Sequence, residues 1–407
     1  MGTERILASW WRTRRAMRLS PTRLQRHRQQ QWRALQPALR RTPALQAHAG
    51  GRLEDVPIVD VAEIRRDYGQ WNSLGLTEAQ IRQMADHPRP SDIAVGYSSG
   101  TAGQRGLFIA DAAERADYIG QSLARLLPLA ALMKRQRLAL HLRSNSALYS
   151  DVSRGRFAFA HFPLDHAADQ TWVALQAWRP TILIAPPHRL LAMAHAAKGP
   201  LPTLHHLFYG SEPMSRAEAD WVESHFRLRP RSIYQATEGF LGAACPQGAL
   251  HLNDHSLDIE LSPVDGTPGF RPIITDLRRH SQPIVRVRGD DYLELADQTC
   301  PCGFAGRVIA PPMGRVQQIW RYPGRVITPG QVIDTMDALV GPQTRWRAVA
   351  GREGVTLHFH ADHDRDHADL AAEQLRARLG LPVPVQPAHD FIPDTGPKRS
   401  RVEWRNG

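Results

Sequence analysis

Between residues 137 and 239 the chain alternates short apolar runs with amphipathic stretches, and this pattern constrains the fold more than any other feature. RLALHL (137–142) and PTILIAPP (180–187) read as strands, the second followed by a helix from about His188 to Ala197. LHHLFYG (204–210) ends at a turn before the helical SRAEADWVESHF (215–226), and RSIYQATEG (231–239) supplies one more strand and loop. Strand, loop and helix in repetition predict an α/β fold with a doubly wound, largely parallel sheet. In such sheets ligands bind where loops leave the carboxyl ends of the strands.

The flanks differ. Leu24, Trp32, Leu35 and Leu39 keep helical spacing up to Pro43, which predicts an arginine-rich helical arm over residues 1–50. Past APPMGRVQQIW, the capped helix TPGQVIDTMDALV, two strands joined around Gly351 to Gly354, and the helix ADLAAEQLRARLGL predict a small α+β domain over 314–407. A large domain over 51–313 lies between them. At 407 residues two or three domains are expected.

Charge is concentrated at one end. The net charge is +11, and residues 1–52 hold twelve arginines against a single acid, Glu4, so the rest of the chain is neutral overall. That excess could touch RNA, an anionic membrane surface or an acidic protein. The plainer reading is a solvated arginine face in a chain with only three lysines, Lys134, Lys198 and Lys398; no aromatic-interleaved nucleic-acid module accompanies it, so no nucleic-acid partner is expected. No apolar window reaches membrane-spanning length, and arginines occupy the place of a secretory signal's apolar core, which predicts a cytoplasmic protein.

GYSSGTAGQRGLF (96–108) spends very little side chain. A loop of glycines with Ser and Thr lets backbone N–H groups surround phosphate oxygens. It lacks the lysine of a P-loop, so the alternatives at this point are a different phosphate site and a plain surface turn.

The motifs that follow, in order, carry a resemblance. FYGSEPMS, YQATEG, PIVRVRGDD, MGRV and DTGPKRSRV, together with YSSGTAGQRG, resemble the motifs of the adenylate-forming superfamily of acyl-CoA ligases. The likeness is strongest to phenylacetate-CoA ligase and coenzyme F390 synthetase. It implies a large N-terminal α/β domain, a small mobile C-terminal domain, and ATP with Mg2+ as cofactors. Residue by residue, it implies that Ser98, Ser99, Gly100, Thr101 and Gly103 cradle phosphates and that Gly210, Ser211 and Glu212 lie on the adenine side. Tyr234 would stack on adenine beside Thr237, and Glu238 would ligate Mg2+. Asp291, with Asp290 as its off-by-one alternative, would accept from the ribose hydroxyls, and Arg315 sits at the hinge. Lys398 would reach the substrate carboxylate and the α-phosphate. The sequence departs from the family pattern at QRG in the phosphate loop, at Val287 in the sugar motif, and at Gln317 and Gln318 near the hinge, where an acidic residue is usual.

Three cysteines, Cys245, Cys300 and Cys302, together with His251, supply the donors of a Cys3His zinc site. Four protein ligands leave no open position, so its role would be structural; the alternative is free thiols and a surface histidine. The run HFHADHDRDH (358–367) reads as a strand and polar turn, and no serine sits on a nucleophile elbow.

The expected activity is adenylation of a carboxylic acid, aromatic rather than long-chain, followed by acyl transfer to coenzyme A or a carrier-protein thiol. The alternatives are AMP transfer to a cofactor hydroxyl and a non-catalytic nucleotide-binding docking protein.

Overall fold

The computed structural model describes residues 2–89, 91–97, 106–142, 156–197, 199–296, 300–391 and 399–405. Its first two elements are the arginine-rich helices α1 (Thr3–Ala16) and α2 (Pro21–Arg41). Leu24, Leu35 and Leu39 are buried, as their spacing predicts. The arm lies on the body of the protein. β1 (Val59–Asp60), α3 (Val61–Arg66), α4 (Glu78–Asp86), the hairpin β2 (Ile93–Tyr97) and β3 (Leu107–Asp111), and α5 (Ala112–Leu126) follow. α1 packs against α5 at Gly120, where a Cβ would stand 2.4 Å from the Ile6 carbonyl oxygen and 2.6 Å from Ser9 Cβ. Asp117 completes the junction, accepting from Ser9 Oγ at 2.7 Å and pairing with Arg12 and Arg278 at 2.8 and 3.2 Å.

After α6 (Leu129–Leu132) come β4 (Gln136–Leu140), β5 (Phe157–His161), α7 (Ala168–Trp178), β6 (Ile182–Ala185), α8 (Pro187–Ala196), β7 (His206–Tyr209), α9 (Arg216–Phe226) and β8 (Arg231–Ala236). The five strands pair in parallel in the order β5-β4-β6-β7-β8. The sheet then turns antiparallel: β9 (Gly239–Ala244) folds back on β8, and β10 (Leu250–Leu252) lies between β9 and β14 (Val308–Ile309). RSIYQATEG is thus the first arm of a hairpin at the point where a parallel sheet becomes mixed. A second sheet, ordered β1-β13-β12-β11, is built from β11 (Leu257–Pro263), β12 (Phe270–Asp276) and β13 (Ile284–Arg288) with β1.

From Trp320 onward the chain has its own core, with Trp320, Trp346, Leu357 and Phe359 essentially inaccessible to water. A hairpin of β15 (Trp320–Tyr322) and β16 (Arg325–Ile327) leads into α10 (Pro329–Val340), whose N-cap Thr328 accepts from the Gln331 amide. β17 (Trp346–Ala350), β18 (Val355–Phe359), α11 (Arg365–Leu379), β19 (Val385–Ala388) and β20 (Val402–Trp404) complete a sheet ordered β19-β18-β17-β20. Among the described residues, no helix is long and apolar enough to cross a membrane.

Candidate active site and metal centre

The parallel strands deliver their carboxyl ends to one cavity of 410 Å3. Strand alternation decides which side chains face it. Leu138 and Leu140 on β4, Ile182 and Ile184 on β6, Phe208 on β7, and Ile233 and Gln235 on β8 share the face that looks toward α5. Beyond the strand ends, Gly210 and Ser211 enter from the turn after β7, and Thr237 and Glu238 from the tip of the β8–β9 hairpin. Ser211 is left-handed, with φ 72°, a conformation rare outside glycine. Asp290, Asp291 and Arg315 close the cavity from the opposite side, Asp291 and Arg315 pairing as an isolated bridge.

Of the residues expected at a nucleotide site, the structure therefore gathers Gly210, Ser211, Thr237, Glu238, Asp290, Asp291 and Arg315 around one cavity. Ser98, Ser99, Gly100, Thr101, Gly103 and Lys398 lie outside the described residues. Tyr234 and Glu212 are placed elsewhere. Tyr234 is 7% exposed and packs in the core under the cavity wall, its hydroxyl donating to Asp291 Oδ2 at 2.9 Å. It is one residue out of phase with Ile233 and Gln235, which face the cavity, so it supports Asp291 from behind. Burial, and then the Asp291 charge, push the Tyr234 phenol well above its ordinary range, so it remains a donor. That bond also separates the two aspartates: Asp291 is held from within the protein, whereas Asp290 pairs at 2.8 Å with Arg271 and is 46% exposed.

Glu238 sits in a shortage of positive charge. Burial raises its pKa and the Asp291 charge raises it further, against opposing contributions from Arg279 and Arg65. A buried carboxylate at the cavity with a second one, Asp291, beside it is a donor set that suits a hard divalent cation. Motif reading missed Arg279, whose Nη1 donates to the Thr237 carbonyl at 2.6 Å, and Gln235, which accepts from Tyr118 Oη at 2.8 Å.

Asp276, on the same wall, is held up at about 6 by burial, which outweighs Arg279 and Arg278. A carboxyl whose native value exceeds the unfolded one stabilises fully below the unfolded pKa, and that contribution is lost as pH rises through the native one. Asp276→Asn is accordingly expected to leave stability unchanged near pH 4 and to raise it at pH 8 by up to about 3 kcal/mol, measured by urea unfolding at both values.

Glu212 lies in a buried polar network and not in the cavity lining. Its fully buried carboxylate is bonded by His188 Nδ1 at 2.9 and 3.0 Å and by the backbone N–H of Arg399 at 2.8 Å. Burial pushes its pKa up, but His188 and Arg399 outweigh this and hold it below the usual carboxylate value. Around it lies a buried network. Arg399 pairs with Glu218 on α9 at 2.9 Å, and Arg401 Nη1 lies 3.2 Å from Glu218 and 2.8 Å from Asp337 on α10. Gln318 adds a polar staple: its Oε1 accepts from the Arg315 amide at 2.8 Å, and its Nε2 donates to the Val402 carbonyl at 2.9 Å. The segment just past Lys398 is thus fastened to the body at three places.

At the other edge of the large sheet, Cys245 directly follows β9, His251 lies on β10, and Cys300 and Cys302 precede β14. Their donor atoms all lie within 4.8 Å of one another, with Cys245 Sγ to Cys300 Sγ at 3.5 Å and Cys302 Sγ to His251 Nε2 at 3.3 Å. Tetrahedral zinc with bonds of about 2.3 Å to sulfur sets its donors roughly 3.8 Å apart, so the cluster fits with small adjustment. His251 Nδ1 contacts the Gly306 carbonyl at 2.8 Å, which aims Nε2 at the sulfurs. Arg125, 4% exposed, lies over Phe304 and donates to the Ala243 carbonyl at 2.7 Å, a buried positive charge beside a set that would carry net negative charge when loaded.

No family model and no curated protein matches the chain. Solved structures do. A 2-hydroxyisobutyryl-CoA ligase in the postadenylation state, in complex with 2-HIB-AMP, superposes with a TM-score of 0.71 over 97% of this chain and 91% of its own, at 16% identity. An anthranilate CoA ligase in complex with anthranoyl-AMP matches at 0.56 over 76% of this chain and 66% of its own, at 11% identity. Acetoacetyl-CoA synthetase from Streptomyces lividans matches at 0.51 over 76% and 54%, at 16% identity. At these identities the likeness speaks for architecture: the chain has the α/β fold of the adenylate-forming enzymes over nearly its whole length.

Proposed function

We propose that this protein is an adenylate-forming ligase that joins a carboxylic acid to AMP and then passes the acyl group to a thiol, of coenzyme A or of a carrier protein. The observation that carries the reading is the cavity itself. Glu238, Asp291 and Arg315 gather at a mouth formed by the ends of parallel strands, and below them an apolar chamber receives the body of the acid.

In this reading the acid's carboxylate oxygen attacks the α-phosphorus of ATP, and the bond to pyrophosphate breaks. The mixed anhydride turns a poor electrophile into one with AMP as leaving group. Glu238, with Asp291 nearby, would hold Mg2+, which offsets the negative charge of the phosphates. Asp291, fixed by Tyr234, accepts from the ribose hydroxyls. Lys398, which precedes Arg399 in the sequence, would supply an ammonium to the charge that develops on the carboxylate and α-phosphate. The 2-hydroxyisobutyryl-CoA ligase supports assigning the present arrangement to this first half-reaction: its postadenylation form matches at 0.71 and its thioesterification form at 0.53. Cys245, His251, Cys300 and Cys302 would hold a structural zinc.

The test is pyrophosphate release from ATP and Mg2+ across a panel of acids, wild type beside Lys398→Ala. Acid-dependent release that falls at least about a hundredfold in the variant is expected, the scale seen when one transition-state charge partner is removed. Measurable ATP binding without release for any acid would discard the ligase reading in favour of a hydroxyl acceptor or a docking role.

A further inference from the structure

We infer that the acid this chain activates has a saturated, aliphatic body longer than a single ring, of the medium-chain fatty type. The inference rests on the ligase reading and deepens it, and it replaces the expectation of an aromatic acid.

The cavity is sharply divided by polarity. Its polar lining belongs to the mouth and to the upper turns of α5. Among the described residues, the twelve cavity-lining positions from Leu123 to Phe208 in chain order are all apolar. The chamber is also deep. From Leu142, just past β4, to Leu138 it runs four residues along the strand, about 13 Å at 3.3 Å per residue, and Phe157, level with Gln136 two residues further, lies at the far end. The chamber is open rather than filled. Leu123, Leu126, Leu138, Phe157 and Ile184 sit between a helix and a sheet, where core side chains are normally sealed, yet each keeps partial accessibility.

A phenylacetate-sized acid would occupy only the upper part of such a chamber and leave apolar wall uncovered below it. Nor, among the described residues, does the deep wall offer a partner for a hydroxyl, amine or second carboxyl at the distal end of the acid, where a polar group would be buried unsatisfied. Shape and chemistry both favour a flexible hydrocarbon body that ends in methyl.

The experiment measures pyrophosphate release as kcat/KM for straight saturated acids of about four to twelve carbons, where each buried methylene is worth ~0.8 kcal/mol, or about fourfold. Phenylacetate and the ω-hydroxy form of the best acid complete the panel. Efficiency is expected to climb about fourfold per methylene until the chamber is full, and the ω-hydroxy acid to fall about tenfold or more below its parent. Leu138→Phe, which shortens the chamber, is expected to move the optimum to shorter acids, with Ile182→Phe as a second variant doing the same. A flat series, or phenylacetate outrunning every straight acid, overturns this inference while leaving the ligase reading intact, because pyrophosphate is still released. No release with any acid, despite ATP binding, overturns the ligase reading and this inference with it.

Discussion

Arg401→Ala is expected to lower the free energy of unfolding by about 3–5 kcal/mol, the cost of breaking a buried ion pair by removing one partner. Arg401 is the cation shared by Glu218 and Asp337, with only 6% of its side chain exposed and both carboxylates essentially sealed from water. Burial already pushes the Asp337 carboxyl up in spite of Arg401, so the pair has little surplus to lose. The guanidinium also lies over the Trp346 ring, 5.0 Å from its centroid, so truncation removes packing as well as charge. Chemical denaturation of the single variant and of Arg401→Ala with Asp337→Asn tests the account, since Glu218 keeps Arg399 while Asp337 loses its cation. The double variant should recover part of the loss, because it leaves one fewer stranded charge. Equal or additive destabilisation would show that the network is not coupled as its geometry requires.

Cys302→Ser is expected to yield protein without the single zinc per chain that metal analysis should find in the wild type. A ligand bound only by the native state and present at a thousand times its Kd stabilises by about 4.1 kcal/mol, and the variant forfeits that linkage. Chelation of the wild type should reproduce the same lowered midpoint. The effect should be felt first where β9, β10 and β14 meet, since His251 lies on β10, Cys245 directly follows β9, and Cys300 and Cys302 sit in the loop before β14. Wild-type protein that contains no zinc and is indifferent to a chelator would return the cluster to free thiols.

Much of this architecture is legible in the sequence because it is written in local patterns. The strands at 136–140, 182–185 and 206–209 and the helices after the last two follow from apolar runs and amphipathic spacing. The Cys3His cluster of Cys245, His251, Cys300 and Cys302 is likewise legible from residue type. The side chains placed elsewhere are those whose direction depends on neighbours. Tyr234 and Gln235 flank a register shift in the β8–β9 pairing, and Tyr234 takes the inner side. Glu212 follows the left-handed Ser211 and turns into the body, where its partners come from α8 and from residue 399. The glutamines near the hinge departed from a family pattern on paper, yet Gln318 reaches both Arg315 and Val402 in space. Arg399 and Arg401 were visible beside Lys398, but their acids lie on helices some sixty to 190 residues away. No local signal announces such partners.

One feature of this fastening sets how the C-terminal segment can vary. Glu212 grips residue 399 by its main-chain N–H, which every amino acid except proline possesses. The carboxylate therefore fixes the main chain at residue 399 as well as attracting its guanidinium, whose Nε lies 3.9 Å away. A substitution there keeps the main-chain bond but forfeits the charge pairs to Glu212 and Glu218, whereas inserting one residue between Arg399 and Arg401 would move the two arginines apart by roughly 3.3 Å. In this fold the tail has to preserve both its spacing and the two arginines set two residues apart.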